Sequence, residues 1–304
     1  MGRPVNDRGG IGRIPTSEQL DADWFTARFR ETGWFREVGD RTAEVVSVDS
    51  AQIGTGQIGK CIRYRLSLAS ADEASADEVS AGEVSADKVY ADEASADEAS
   101  GDESIPMTLI GKFPSDDPVS RATGVQLRNY YREVNFYRHL ASDLSISIPR
   151  CYYADIVDEG PEFILLLEDM HPAEPGDQLV GCSVDVARAA VLELVGLQAP
   201  TWCRTELERF DWLGGAGESV SVFDLYGQFL PGFIERYGDA LLTDEQHILA
   251  RVADSPACPL FQPVGSPFCL EHVDYRLDNL LIDSSQTPPQ ITVVDWQSVR
   301  MANR

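Results

Sequence analysis

The sequence predicts an α+β protein, and three observations carry that reading. Residues 43–49, 60–68 and 107–113 alternate or run apolar over strand-like lengths in the first half. Helical periodicity dominates after Asp185, and the chain closes on two short apolar runs, 280–282 and 291–294, hairpinned around the polar residues 283–290. At 304 residues there is room for two lobes and a sizeable core. The first, antiparallel-sheet lobe is placed at 17–169 and the second, mainly helical lobe at 170–304.

Taken in order, Thr16-Ser17-Glu18-Gln19 has a capping-box pattern ahead of an amphipathic helix through Leu20, Trp24, Phe25 and Phe29. The strands 43–49 and 60–68 are joined across Gly54-Thr55-Gly56-Gln57-Ile58-Gly59, and 107–113 supplies a third. A helical pattern runs over 121–141 through Val125, Tyr130, Val134, Tyr137 and Leu140. Residues 163–167 form a buried strand ending in Glu168-Asp169-Met170, and the clearest later helices cover 186–197 and 222–237. Residues 70–104 interrupt this scheme with seven five-residue units of the type Ser-Ala-Asp-Glu-Ala. A period of five builds no apolar stripe on a helix, so the insert is expected to be disordered in a surface hairpin, where length costs little.

The formal charge is −25, of which the insert carries −11. An acidic chain does not suit non-specific nucleic-acid binding, which rewards the opposite sign. No run of eighteen apolar residues marks a membrane span. The opening residues lack an apolar leader, so a cytoplasmic protein is expected. Six cysteines are scattered without metal-binding spacing and read as reduced and mostly buried.

The chemistry concentrates in His272-Val273-Asp274-Tyr275-Arg276-Leu277-Asp278-Asn279, followed by Asp295 after an apolar strand. His-x-Asp-x-x-x-x-Asn and a later Asp match the catalytic-loop and metal-ligand spacing of kinase-type phosphotransferases. Asp274 could take a proton from an attacking hydroxyl, while Asn279 and Asp295 offer hard oxygen ligands suited to Mg²⁺. The bland alternative is a solvated Asp-rich turn. His272 reads as an orienting residue, and Arg276 and Asp278 as stabilisers of the loop. His139, His171 and His247 read as structural or surface histidines.

The N-terminal half offers the remaining parts in the expected order. Gly54, Gly56 and Gly59 lie between two strands, the context of a loop over phosphates and not of a dinucleotide fold, where a helix would follow. Lys112 is one of only three lysines against twenty-two arginines and sits in a predicted strand, where a compact ammonium suits a phosphate contact. Glu133 on the following helix is its natural ion-pair partner. Glu168 and Met170 would form a hinge whose backbone meets the adenine of ATP.

On these residues the chain resembles the aminoglycoside phosphotransferase and choline kinase-like superfamily, especially its ecdysteroid-kinase-like (CHK kinase-like) branch. The stretches that carry the resemblance are 110–112, 131–138, 166–169, 197–202, 233–237 and 272–296. The resemblance implies a bilobal protein-kinase-like fold and ATP- and Mg-dependent phosphorylation of a small-molecule hydroxyl. It assigns Asp274 as base, Asn279 and Asp295 as metal ligands, Lys112 and Glu133 as the phosphate-anchoring pair, and 54–59 as the loop over ATP.

Three departures stand out. Val273 occupies a position where the family commonly has Gly, so a positive φ there would strain a β-branched residue and displace Asp274. Gln198 stands where relatives often have His. Relatives also continue for many residues after the metal-binding Asp, so the second lobe reads as C-terminally truncated. The alternative function is accordingly a catalytically inactive, truncated nucleotide-binding or interaction module.

Overall fold

The computed structural model describes residues 14–37, 42–54, 58–69, 106–214, 216–254 and 265–303. The five-residue repeats and Gly56 lie outside the described residues. Contacts divide the chain into two compact units, residues 1–124 with 150–169 and residues 125–149 with 170–304. The segment 125–149, counted with the first lobe from sequence, therefore groups with the second unit.

The first unit is a five-stranded antiparallel sheet of order β1-β2-β3-β5-β4. Its strands are β1 (Glu44–Ile53), β2 (Gly59–Ala69), β3 (Pro106–Pro114), β4 (Cys151–Ile156) and β5 (Phe163–Glu168). The two-residue period of the strands sorts their side chains. Ile62, Tyr64 and Leu66 on β2 and Leu109 and Phe113 on β3 enter one core with Phe25 and Phe29. Those two rings come from α1 (Ala22–Thr32), which the short α2 (Trp34–Glu37) follows. The β2–β3 register sets Cys61 opposite Lys112 and Arg63 opposite Ile110, which places these four on the other face.

Helix α1 begins later than the capping box suggested. Asp21 Oδ1 accepts the Trp24 amide at 2.8 Å and caps the helix. The Thr16–Gln19 pattern instead closes a single 3₁₀ turn, in which Gln19 Oε1 accepts the Thr16 amide at 2.9 Å. That turn is tied to the sheet by the buried Tyr64 hydroxyl, which donates to Ser17 O at 2.9 Å.

The helical run 121–141 is two helices, α3 (Pro118–Gln126) and α4 (Asn129–His139). They are separated at Arg128, whose φ of 56° is left-handed. A tertiary arrangement holds this break in place. The Arg128 guanidinium pairs with Asp211 at 3.0 Å and lies over the Tyr131 ring at 4.9 Å.

The second unit combines α4, α5 (Val184–Gln198), α6 (Ala216–Tyr237) and α7 (Thr243–Ala253) with two small sheets. One has the order β6-β8-β9, from Glu174–Pro175, Leu280–Asp283 and Gln290–Val293, and the other pairs β7 (Phe268–Glu271) with β10 (Arg300–Asn303). The β8–β9 hairpin is the one expected from sequence, with Leu280 opposite Val293. The α+β class, with a sheet unit first and a largely helical unit second, is thus the observed one. Cys269 is buried, whereas Cys182 is exposed and Cys61, Cys151 and Cys203 are intermediate, so the expectation of mostly buried cysteines does not hold for the described residues. No helix among the described residues is long and apolar enough to cross a membrane.

Gly196 lets α5 lie directly on the segment before β4. The Ser145 amide donates to Gly196 O at 3.1 Å, and a Cβ at Gly196 would fall on the Ser145–Ile146 backbone. Gly196→Ala is expected to lower stability by about 1–3 kcal/mol despite its higher helix propensity, because backbone cannot rotate aside as a side chain can. Urea unfolding checks this, and an unchanged or raised midpoint would contradict the close approach.

Candidate active site

Strand β7 delivers His272 into the interior of the second unit, where the residue is 2 % exposed. Its Nε2 lies 2.9 Å from Val294 O, so Nε2 carries the proton if it donates to that carbonyl. The imidazole meets Trp296 in a T-shaped contact with ring centroids 4.7 Å apart, and Phe136 stacks on Trp296 at 4.1 Å and 7°. His272 therefore ties the loop to the strand that leads to Asp295, the orienting role expected of it.

Two residues on, the Asp274 carboxylate is held from both sides. Asn279 Nδ2 donates to Asp274 Oδ2 at 3.0 Å and to Asp274 O at 2.9 Å. Arg276 Nε stands 3.2 Å from Oδ1, while its Nη1 stands 3.5 Å from Asp278. Asp278 in turn accepts the Gln178 amide at 3.2 Å, and Gln178 Oε1 accepts the Leu277 amide at 3.1 Å. Gln178 is a loop partner that no sequence signal marked, since it lies about a hundred residues away.

Asn279 and Asp295 come together through the hairpin. Asn279 immediately precedes β8, and the Val294 amide donates to Asn279 O at 3.0 Å, so Asp295 follows one residue later. Asp295 adopts φ 68°, ψ 57°, and its Oδ2 accepts from Gln297 Nε2 at 2.8 Å. Because the Asn279 amide nitrogen serves Asp274, the carbonyl oxygen is its available ligand atom. One amide oxygen and one carboxylate fit the sparse protein share of a Mg²⁺ shell, which phosphate and water normally complete. Among the described residues no group of three or more His, Cys, Asp or Glu could hold a metal ion by itself.

In the first unit, Gly54 has φ +67°, a conformation that favours glycine. A Cβ on Gly59 would stand 2.9 Å from Phe113 O and close to the Lys112 stem, so Gly59 and Lys112 are brought together where β2 meets β3. The Glu168 side chain accepts the Arg150 amide at 3.1 Å, and the Glu168 amide donates to Arg150 O at 2.8 Å. Its neighbour Asp169, with a side chain only 3 % exposed, forms a two-point pair with Arg63 at 2.8 and 3.1 Å. This pair fastens the end of β5 to β2 and was not foreseen. Met170 O accepts the Ala173 amide at 2.9 Å and belongs to the second unit. Glu133, 1 % exposed on α4, also belongs to the second unit, whereas Lys112 belongs to the first.

The loop 272–279 departs from ordinary backbone at one point, Val273, with φ 71°. The strain foreseen for a β-branched residue is therefore present, yet Asp274 keeps both of its carboxylate partners.

The profile of the phosphotransferase enzyme family (APH) matches residues 119–304. That is more than half of the chain, and the chain belongs to this family. No curated protein matches the sequence. Among solved structures, a GDP complex of an aminoglycoside 2'-phosphotransferase-IIIa mutant aligns over 93 % of this chain and 74 % of its own, at 12 % identity and a TM-score of 0.45. A gentamicin complex of APH(2'')-IIa aligns over 94 % and 72 %, at 14 % identity and a TM-score of 0.44. A microcompartment-associated aminopropanol kinase aligns over 84 % and 65 %, at 14 % identity and a TM-score of 0.33. At these values the family assignment rests on the sequence match alone.

Replacing Val273 by Gly removes the left-handed penalty of a β-branched residue and adds unfolded-chain entropy. The penalty, about 1–2 kcal/mol, exceeds the entropic loss of roughly 0.5–1 kcal/mol. Val273→Gly is expected to raise the unfolding midpoint slightly, and a clear fall would show that the valine conformation is not strained.

Proposed function

We propose that the chain is an ATP- and Mg²⁺-dependent phosphotransferase acting on a hydroxyl of a small molecule, of the ecdysteroid-kinase-like branch that its motif stretches resemble. The observation that carries the reading is the Asp274 carboxylate, fixed by Asn279 on one oxygen and Arg276 on the other, with Asp295 brought beside Asn279. When bound, MgATP would supply the transferable phosphoryl group and the cationic charge that offsets its oxygens.

The chain's own residues do the positioning. Asn279 holds Asp274 Oδ2, so that oxygen has a fixed direction. Oδ1 faces the guanidinium of Arg276, a side chain half exposed and free to give way to an incoming hydroxyl proton. Asn279 Oδ1 and the Asp295 carboxylate are the metal-ligand atoms. On this reading Lys112 is the residue that anchors phosphate and Glu133 the partner the motif assigns to it. On the same reading Gly54, Gly56 and Gly59 are the glycines of the loop over ATP, and Glu168 and Met170 are the hinge residues for adenine. The family match over 119–304 supports a phosphotransferase, and the donor set supports the metal.

The test is thermal unfolding of the full chain with and without MgATP. At about a hundred times the dissociation constant, ligand should stabilise the native state by roughly 2.7 kcal/mol. Asp295→Ala and Lys112→Ala are expected to lose most of that effect. A MgATP response equal to that of the parent in both variants, or no response in the parent, would overturn the assignment.

Asp274→Ala separates chemistry from binding. It should keep the MgATP stabilisation but lower turnover of an accepted alcohol by about 10²–10⁴-fold. Retention of parental turnover would remove Asp274 from the base role, and a parent that binds MgATP without turning over any alcohol would favour the inactive binding module.

A further inference from the structure

The Asp295 carboxylate is held by a residue two positions further on. Gln297 Nε2 donates to Asp295 Oδ2 at 2.8 Å, across the 3₁₀ turn Trp296–Ser298. That bond fixes Asp295 only as well as Gln297 is itself fixed. Gln297 is half-buried and its side chain turns about three bonds, so on its own it would lose much of its hold to rotamer freedom.

The anchor for Gln297 comes from far along the chain. Asn129, the first residue of α4, donates from Nδ2 to Gln297 O at 3.2 Å. The residue is only 8 % exposed, and its Oδ1 is buried without a hydrogen-bond partner among the described residues. A buried amide with one end unsatisfied is costly, and an apolar side chain of similar size would avoid the cost. What asparagine supplies in its place is the N–H aimed at the Gln297 carbonyl.

A second, independent feature lies next to it. Arg128 takes left-handed backbone, φ 56° and ψ 26°, and so starts α4 afresh at Asn129. Two unfavourable local choices thus fall together where α4 meets the turn that follows Asp295, and strain of this kind points from the outlier toward function. Trp296 and Val299, both 0 % exposed, keep the backbone on either side of Gln297 in the core. Asn129 and Gln297 therefore act in series, the first on the backbone of the second and the second on the carboxylate.

A carboxylate held in this way does not serve all cations equally. Ca²⁺ takes roughly six to eight oxygens in flexible geometry and readily uses both oxygens of one carboxylate, whereas Mg²⁺ is smaller and asks for few protein oxygens in a near-octahedral array. A carboxylate that cannot swing, and whose Oδ2 already accepts from Gln297, penalises the larger ion more. Under the phosphotransferase reading, on which this rests, Asp295 is a metal ligand. We propose that Asn129 and Gln297 are positioning residues for Asp295 and that together they set the preference of the site for Mg²⁺ over Ca²⁺.

The test titrates the full chain with ATP in Mg²⁺, in Ca²⁺ and in EDTA, by calorimetry and by thermal unfolding. The chains compared are the parent, Gln297→Ala, Asn129→Leu and the double variant. The parent should bind MgATP more tightly than CaATP. Gln297→Ala should weaken MgATP by about tenfold or more, the usual scale when a metal ligand loses the partner that orients it, and CaATP much less, so that the preference collapses. Asn129→Leu should move the ratio in the same direction by a smaller factor. The double variant should match Gln297→Ala alone, because Asn129 acts through Gln297. Binding of ATP in EDTA should stay at the parental value throughout, a readout that general loosening of the fold would move.

A ratio of MgATP to CaATP affinity in Gln297→Ala equal to the parent's overturns the inference, as does a double variant whose losses simply add. Equal weakening of MgATP, CaATP and metal-free ATP assigns Gln297 a structural role only and overturns it too. If the two chains carrying Asn129→Leu fail to fold, Gln297→Ala decides. A parent whose ATP binding gains nothing from either ion overturns the inference and the metal assignment together, whereas a Mg²⁺-dependent parent with unchanged ratios in the variants overturns the inference alone.

Discussion

The packing of Trp296 is the constraint on which the candidate site depends. Its ring is fully buried, stacked on Phe136 of α4 and in a T-shaped contact with His272. Its indole N–H donates to Val293 O at 3.1 Å, which satisfies the one polar atom this ring buries. The ring follows Asp295 directly and, through His272, lies two residues from Asp274. One aromatic cluster thus sets the position of both acidic residues, and α4 is the surface against which they are fixed.

Around that anchor the loop is ordered by charge and hydrogen bonding. Arg276 spans Asp274 and Asp278, Asn279 bridges the Asp274 side chain and carbonyl, and Gln178 ties Asp278 and Leu277 to the segment beside β6. The ion pairs are partly solvent-exposed and individually weak. Their value is geometric, because several short restraints on one carboxylate leave it little rotamer freedom. Val273 and Asp295 both take left-handed backbone, one just before Asp274 and one at the second acidic residue itself. The chain spends conformational energy where the acidic groups are aimed.

Much of this was legible in the residues. The β8–β9 hairpin followed from two apolar runs and a Pro-rich turn, and the loop from the spacing of His272, Asp274 and Asn279. The sign of φ at Val273 could be stated only as a condition, since backbone conformation is not written in a side-chain pattern. The break between α3 and α4 was missed because Arg128 fits a helical pattern locally. What bends the chain there is Asp211 and Tyr131, one of them more than eighty residues away. Strand β4 was missed because Cys151-Tyr152-Tyr153 gives no clean alternation. The grouping of 125–149 with the second unit depends on contacts such as Phe136 with Trp296, which no local signal reveals. Arg63 and Asp169 escaped notice for the same reason.

The Phe136–Trp296 stack also bears on how the protein reaches its native state. The two rings are about 160 residues apart in the chain. A contact of that separation closes late and slowly, because the loop entropy must be met before the stacking repays it. During synthesis α4 would leave the ribosome long before its aromatic partner exists, with Phe136 exposed in the interval. The nascent chain would then be most prone to misassociation in the stage when the first sheet is complete and the β8–β9 hairpin has not yet been made.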